Sequence, residues 1–160
     1  MGYTPSTRLT TTLCGIPLPS PIFLASGTAG TLDETSDVLD TSILGGIVTK
    51  SITRHPRQGN PYPRITWTRA GMLNAIGLAN PGLDAWKSDI APNIKPSPTT
   101  FVGSVAGDSI DDYVQIASAM DAVDAMKIIE LNVSCPNVHS GLEFGADPAA
   151  LKDLVTHARS

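Results

Sequence analysis

The chain is 160 residues long, 41% hydrophobic and 16% charged, with a formal net charge of −4. That length suits one domain with a buried core, and a charged share below the usual ~25% excludes a disordered, solvating chain. The acidic balance argues against general nucleic-acid binding, and no apolar run approaches the ~18 residues of a membrane span.

The opening MGYTPSTRLTTTL has no apolar stretch of the signal-peptide kind, so a cytoplasmic location is the expectation. Two cysteines, Cys14 and Cys135, make no disulfide framework. Residues 9–19 read as a small hairpin, with Cys14 a structural thiol. The short apolar run 21–25 reads as a buried strand closed by Ser26 and Gly27. Residues 33–44 place Val38, Leu39, Ile43 and Leu44 at helical spacing, and Gly45-Gly46 stops them. A second strand is expected at 47–49. A long Pro- and Gly-rich connection fills 50–80. A helix is expected over 81–94, with Pro81 near its first turn. The third strand spans 100–106. A helix follows at 109–125, with Ile110, Tyr113, Val114, Ala117 and Met120 on one face. The fourth strand spans 128–133. The last helix runs over 147–158, with Asp147 as N-cap and Pro148 at its first position.

Strands alternating with helices imply parallel βαβ units and an α/β fold. About four such units follow the hairpin, half of what a closed (β/α)₈ barrel of about 250 residues needs. In that case the first and fourth strands are open edges. The chain therefore reads as one partial domain over 1–160.

Ligands of α/β folds gather at the C-terminal ends of the strands. The first strand ends in Ala25-Ser26-Gly27, small residues that admit close backbone approach to a ligand or simply make a tight turn. The second ends in Lys50 and Ser51. A lysine after a buried strand needs a charge partner or a route to solvent. The connection 50–80 holds Lys50, Arg54, Arg57, Arg64 and Arg69 and no acidic residue. It suits a small anionic ligand, an acidic partner surface or plain solvation. Asn74, Ile76, Gly77 and Leu78 lie in a stretch rich in fixed-geometry residues, and asparagine amides suit an amide-bearing heterocycle. The fourth strand ends in Asn132, Ser134, Cys135 and Asn137. A cysteine so placed and flanked by asparagines is a candidate base or nucleophile. The histidines show no metal-ligand spacing with either cysteine.

Taken together, PIFLASG at 21–27, TKS at 49–51, GNPYPR at 59–64, NAIGLANPG at 74–82 and LNVSCPN at 131–137 resemble the N-terminal half of dihydroorotate dehydrogenases of the soluble class 1 type. The resemblance runs from about residue 9 to the last helix. It implies half of an FMN-dependent TIM barrel that oxidises dihydroorotate to orotate in pyrimidine synthesis. It implies Cys135 as the base. Lys50, Asn74, Ile76, Gly77, Leu78, Asn132 and Asn137 are implied as substrate contacts. Ala25, Ser26, Gly27, Lys50, Ser51 and Asn132 are implied as FMN contacts. Gly141 to Gly145 resembles the 1B subgroup, whose partner is an iron–sulfur flavoprotein electron-transfer subunit, and the full-length family implies a homodimer. Four further βα units, with the phosphate-binding loops, lie outside these residues. The chain alone is thus expected to bind FMN weakly or not at all and to show no turnover. Two other readings share these features: the flavin domain of dihydropyrimidine dehydrogenase, and a non-catalytic half-barrel interaction module.

Overall fold

A computed structural model describes residues 8–32, 34, 35, 37–134 and 144–160. A two-stranded antiparallel hairpin comes first, β1 (Thr11–Leu13) and β2 (Ile16–Leu18). Its turn places Cys14 and Gly15 at φ 51° and 79°. Two-residue hairpin loops favour positive φ at both positions because it matches the strand twist. Cys14 is exposed there, so the expected structural thiol is corrected to an exposed turn residue.

The central sheet is parallel and has four strands, β3 (Phe23–Leu24), β4 (Gly46–Val48), β7 (Thr100–Val105) and β8 (Met126–Leu131). They lie side by side in that order, which is chain order, as one half of a barrel wall requires. Outer positions fall to β3 and β8, as expected for open edges. Gly46 shows how tightly β4 is seated: a Cβ there would lie 2.5 Å from the Phe23 ring and 2.7 Å from the Thr100 carbonyl oxygen. Val102 and Val105 of β7 are buried, as is Phe101, so this strand is covered on both faces.

The expected helix over 33–44 does not form. Its described residues make turns, ending in a single 3₁₀ turn at Thr41–Ile43. Local side chains take the backbone donors instead: Glu34 accepts from the N–H groups of Thr31 and Leu32, and Asp40 accepts from Ser42. Asp, Ser and Thr compete with helical bonding in this way. Leu44 and Ile43 reach the core, but Val38 stays 88% exposed, so the first part of the apolar spacing found no surface to cover.

The connection 50–80 contains a second antiparallel hairpin that the sequence reading missed, β5 (Ile65–Thr68) and β6 (Gly71–Asn74). Both its strands are exposed, Trp67 among them. The expected single helix over 81–94 is broken into α1 (Gly82–Ala85), a wide π turn at Trp86–Ile90 and a 3₁₀ turn at Ala91–Asn93. Pro92 has no N–H to continue an α-helix. The wide turn accompanies the burial of Trp86, which is 2% exposed.

The second α-helix, α2 (Ile110–Asp121), is capped by the Ser109 hydroxyl, which accepts from the Asp112 N–H. It buries Tyr113, Ile116, Ala117 and Met120. Ile116 replaces the expected Ile110 and Val114 as a fully buried member, while those two are half-buried. The last helix, α3 (Pro148–Ala158), starts as expected, with the Asp147 carboxylate accepting from the N–H groups of Ala149 and Ala150. Tyr113 meets Phe144 edge-on, with ring centroids 5.5 Å apart.

Candidate active site

Alternation along β7 and β8 separates the two faces of the sheet. A Cβ on Gly103 would meet the Met120 sulfur and the Ile129 side chain, so 103 and 129 face α2. Ser104 and Glu130 therefore point to the other side, the interior face, and the Ser104 hydroxyl donates to Glu130 Oε1 at 3.1 Å.

That face carries a polar cluster drawn from all four strands. After β3, Ser26 donates to the Thr49 carbonyl at 2.8 Å and lies 3.2 Å from the Ser51 hydroxyl. Ser51, after β4, is 2.8 Å from Ser104 Oγ. Asn132, after β8, donates from Nδ2 to Ser51 Oγ at 3.3 Å. The Asn132 backbone is fixed twice, by its N–H to the Val105 carbonyl and by Tyr113 Oη donating to its carbonyl at 2.7 Å. Ser26, Ser51 and Asn132 were expected at the site. Ser104 and Glu130 were missed, although a serine inside FVGSV and a glutamate inside IIELN are polar interruptions of apolar strands.

Gly27 and Lys50 meet at the mouth of this cluster. Gly27 has φ 76°, and a Cβ on it would lie 3.1 Å from Lys50 Cδ and 3.5 Å from Nζ. Lys50 is half-buried, and burial holds its ammonium pKa below the ordinary lysine value. Among the described residues it makes no ion pair. A cation held partly out of water without an anion favours an anionic ligand beside it. Ala25 is exposed at the same turn.

The segment with Asn74, Ile76, Gly77 and Leu78 is held from below. Asn80 is buried, and its Oδ1 accepts from the N–H groups of Thr53 and Gly82 while its Nδ2 donates to the Leu78 carbonyl. Arg57 and Asn80 exchange backbone hydrogen bonds, and Asn60 donates to the Ile76 carbonyl. Gly77 and Leu78 follow with φ 74° and 57°. A leucine in that region is strained, and such strain persists where surrounding bonds enforce it. Asn74 is exposed, with no side-chain hydrogen bond among the described residues. Cys135 and Asn137 lie outside the described residues.

The basic loop is largely absorbed by structure. Arg54 pairs with Asp84 at 3.3 Å, and Arg57 grips both Asp108 oxygens at 2.9 Å. Arg64 donates to the carbonyls of Asn60 and Gln58 and lies 4.5 Å from the Tyr62 ring centre. Lys50 is the loop's cation at the strand ends. A cavity of about 530 Å³ between α2, α3 and β8 sits on the other side, against Ile129 and Leu131, and contains none of the expected site residues.

A family model described as dihydroorotate dehydrogenase matches residues 8–160. The chain belongs to the dihydroorotate dehydrogenase family. A dihydroorotate dehydrogenase B (NAD(+)) catalytic subunit of Desulforudis audaxviator is 41% identical over 148 residues, 92% of this chain and 48% of that protein. A dihydroorotate dehydrogenase A (fumarate) of Lactiplantibacillus plantarum is 46% identical over 150 residues, 92% of this chain and 49% of that protein. A B-type catalytic subunit of Listeria innocua is 44% identical over 154 residues, 96% of this chain and 51% of that protein. These relatives are of class 1, from both its A and B types. The chain spans about half the length of these curated dihydroorotate dehydrogenases. In fold it matches a dihydroorotate dehydrogenase of Eimeria tenella, solved in complex with ferulenol, at a TM-score of 0.72 and 20% identity, covering 99% of this chain and 46% of that one. Among the described residues no helix is long and apolar enough to cross a membrane.

Proposed function

We propose that this chain contributes half of an FMN-dependent site that oxidises dihydroorotate to orotate. The observation that carries the reading is Lys50. It is a half-buried cation with no ion pair among the described residues, set against the Gly27 turn and next in the chain to Ser51, which Ser26 and Asn132 contact. Family membership supplies the reaction class.

The residues fit FMN on their own geometry. Gly27 carries no side chain and its φ of 76° suits glycine, so its backbone is bare beside the Lys50 stem, as close approach of a flat ring needs. Ser26, Ser51 and Asn132 would line that approach. When bound, FMN supplies the hydride acceptor. Lys50 offers its ammonium to the substrate carboxylate or to the ring. Asn74, Asn132 and Asn137 offer amide donors and acceptors to the ring amides of orotate. The backbone around Ile76, Gly77 and Leu78 presents N–H groups to the carboxylate. Cys135 takes the C5 proton as a thiolate base while a hydride leaves C6, and a C5–C6 double bond remains.

The relatives include a fumarate enzyme and NAD(+) catalytic subunits, so residues shared by both types do not choose the electron acceptor. An iron–sulfur flavoprotein subunit is the proposed partner for a B-type assembly, and a homodimer the proposed oligomer.

The test uses the gene encoding this chain, expressed to its natural stop codon. Dihydroorotate should reduce FMN bound to the product, dihydrouracil should not, and Cys135→Ala should abolish the reduction. Preference for dihydrouracil would move the protein to the dihydropyrimidine type. Full flavin binding and reduction in the Lys50→Met variant would remove the central support.

A further inference from the structure

The interior polar cluster has a direction, and donor arithmetic reveals it. The backbone N–H of Ser134 lies 3.3 Å from one terminal atom of Asn132, and an N–H can only donate. That atom is therefore Oδ1, and the nitrogen faces Ser51 as a donor, at 3.3 Å. Ser51 has one hydroxyl proton and two serine neighbours, Ser104 at 2.8 Å and Ser26 at 3.2 Å. The shorter contact takes the proton. Ser104 in turn donates to Glu130 Oε1 at 3.1 Å, since a carboxylate only accepts. The Ser26 proton is committed to the Thr49 carbonyl.

The protons thus all run one way, from Asn132 through Ser51 and Ser104 to Glu130. Each hydroxyl that donates becomes a better acceptor for the bond before it. With one Asn132 N–H engaged by Ser51 and its oxygen engaged by Ser134, its second N–H has no acceptor among the described residues and is available to a ligand.

We propose that Glu130 is a positioning residue, which acts through Ser104 and Ser51 to orient the Asn132 amide as a hydrogen-bond donor toward the bound ligand. Glu130 itself touches no ligand in this scheme. The inference deepens the proposed function and rests on it for the ligand's identity, but the orientation of Asn132 is a property of the chain alone. Without an acceptor at 130, Ser104 is free to turn its proton toward Ser51. Ser51 then no longer needs to donate to Ser104, its oxygen no longer selects an Asn132 nitrogen, and the 3.3 Å bond from the Ser134 N–H is left to orient the amide by itself.

Two readouts test this, on the gene product expressed to its natural stop codon. The first needs no flavin: the side-chain amide signals of Asn132 in a ¹H–¹⁵N spectrum, assigned by their loss in Asn132→Asp. Glu130→Met and Ser104→Ala should both move them, while Glu130→Gln, which keeps an acceptor oxygen, should restore signals close to the parent. The second is orotate affinity in the FMN-loaded protein. Met at 130 and Ala at 104 should weaken it about tenfold, as loss of one oriented hydrogen bond predicts, and Gln by no more than about threefold. Ser104→Ala guards against a Glu130 variant that fails to fold. The proposal is overturned if the Asn132 signals ignore both substitutions, or if Gln and Met at 130 behave alike. If the signals respond but the parent protein binds no orotate, the positioning role holds and the dihydroorotate reading fails.

Discussion

Lys50 Cδ stands 3.1 Å from the point where a Cβ on Gly27 would sit, so the turn after β3 and the end of β4 are fitted to each other with no side chain between them. Gly27→Ala should therefore act twice. At φ 76° the alanine costs about 1–2 kcal/mol of backbone strain, and its methyl group pushes the Lys50 stem aside. Urea unfolding should show the stability loss, and FMN titration should show weaker binding than stability alone explains. An alanine variant with parent-like flavin affinity would dissociate Gly27 from the site.

Lys50 also gives stability a definite pH dependence. Its folded pKa is lowered by burial, so between that value and the ordinary lysine value the unfolded chain binds a proton that the folded chain does not. Stability contributed by this group therefore rises as pH climbs through that window. Lys50→Met should remove the rise, and it should stabilise the protein at neutral pH by ending the partial burial of a charge with no ion pair among the described residues. The measurement is the difference between parent and variant unfolding curves across alkaline pH.

Glu34 carries the opposite dependence. Burial pulls its carboxyl up, but the N–H groups of Thr31 and Leu32 outweigh this and hold it below the ordinary glutamate value. Its contribution is present above the unfolded pKa and is lost as pH falls through the lowered folded value. Glu34→Gln should flatten the acid side of the stability curve. It should also loosen the 31–35 turn, read as faster amide exchange at Thr31 and Leu32.

Asn74 and Asn80 should separate binding from stability. Asn80→Ala leaves the buried N–H of Thr53 without its acceptor and removes that of Gly82, a loss of about 2–3 kcal/mol. Asn74→Ala removes an exposed side chain with no hydrogen bond among the described residues, and stability should stay within about 0.5 kcal/mol. Orotate affinity should nevertheless fall in Asn74→Ala. Equal stability losses in the two variants would contradict the assigned roles.

The Arg57–Asp108 pair ties the long loop to the start of α2 through two 2.9 Å contacts, with side chains 26% and 54% exposed. A double-mutant cycle on Arg57→Ala and Asp108→Ala should give a coupling near 1 kcal/mol, at the upper end for solvent-screened pairs because the geometry is bidentate. The coupling should shrink in high salt.

Local chemistry alone determined much of this protein. The apolar runs around Ile47, Phe101 and Ile128 demanded parallel strands, since no solvated face was available to them. Ser109 and Asp147 marked helix starts because their side chains accept the free N–H groups of a first turn. Lys50 after a buried strand already called for a charge partner or a route to solvent. Tertiary structure decided what local pattern left ambiguous. Val38 and Leu39 had helical spacing, but nothing packs over Val38, and the Glu34 and Asp40 carboxylates on either side took nearby backbone N–H groups into turns. Arg54, Arg57 and Arg64 suited a ligand, an acidic partner or plain solvation, yet their acceptors sit in the loop or on Asp84 and Asp108, distant in sequence or hidden in the backbone. Ser104 and Glu130 became site residues because strand pairing in register set 104 beside 130 on the interior face. Periodicity states which residues share a face of one strand; which strand comes to lie beside it is a matter of the whole fold.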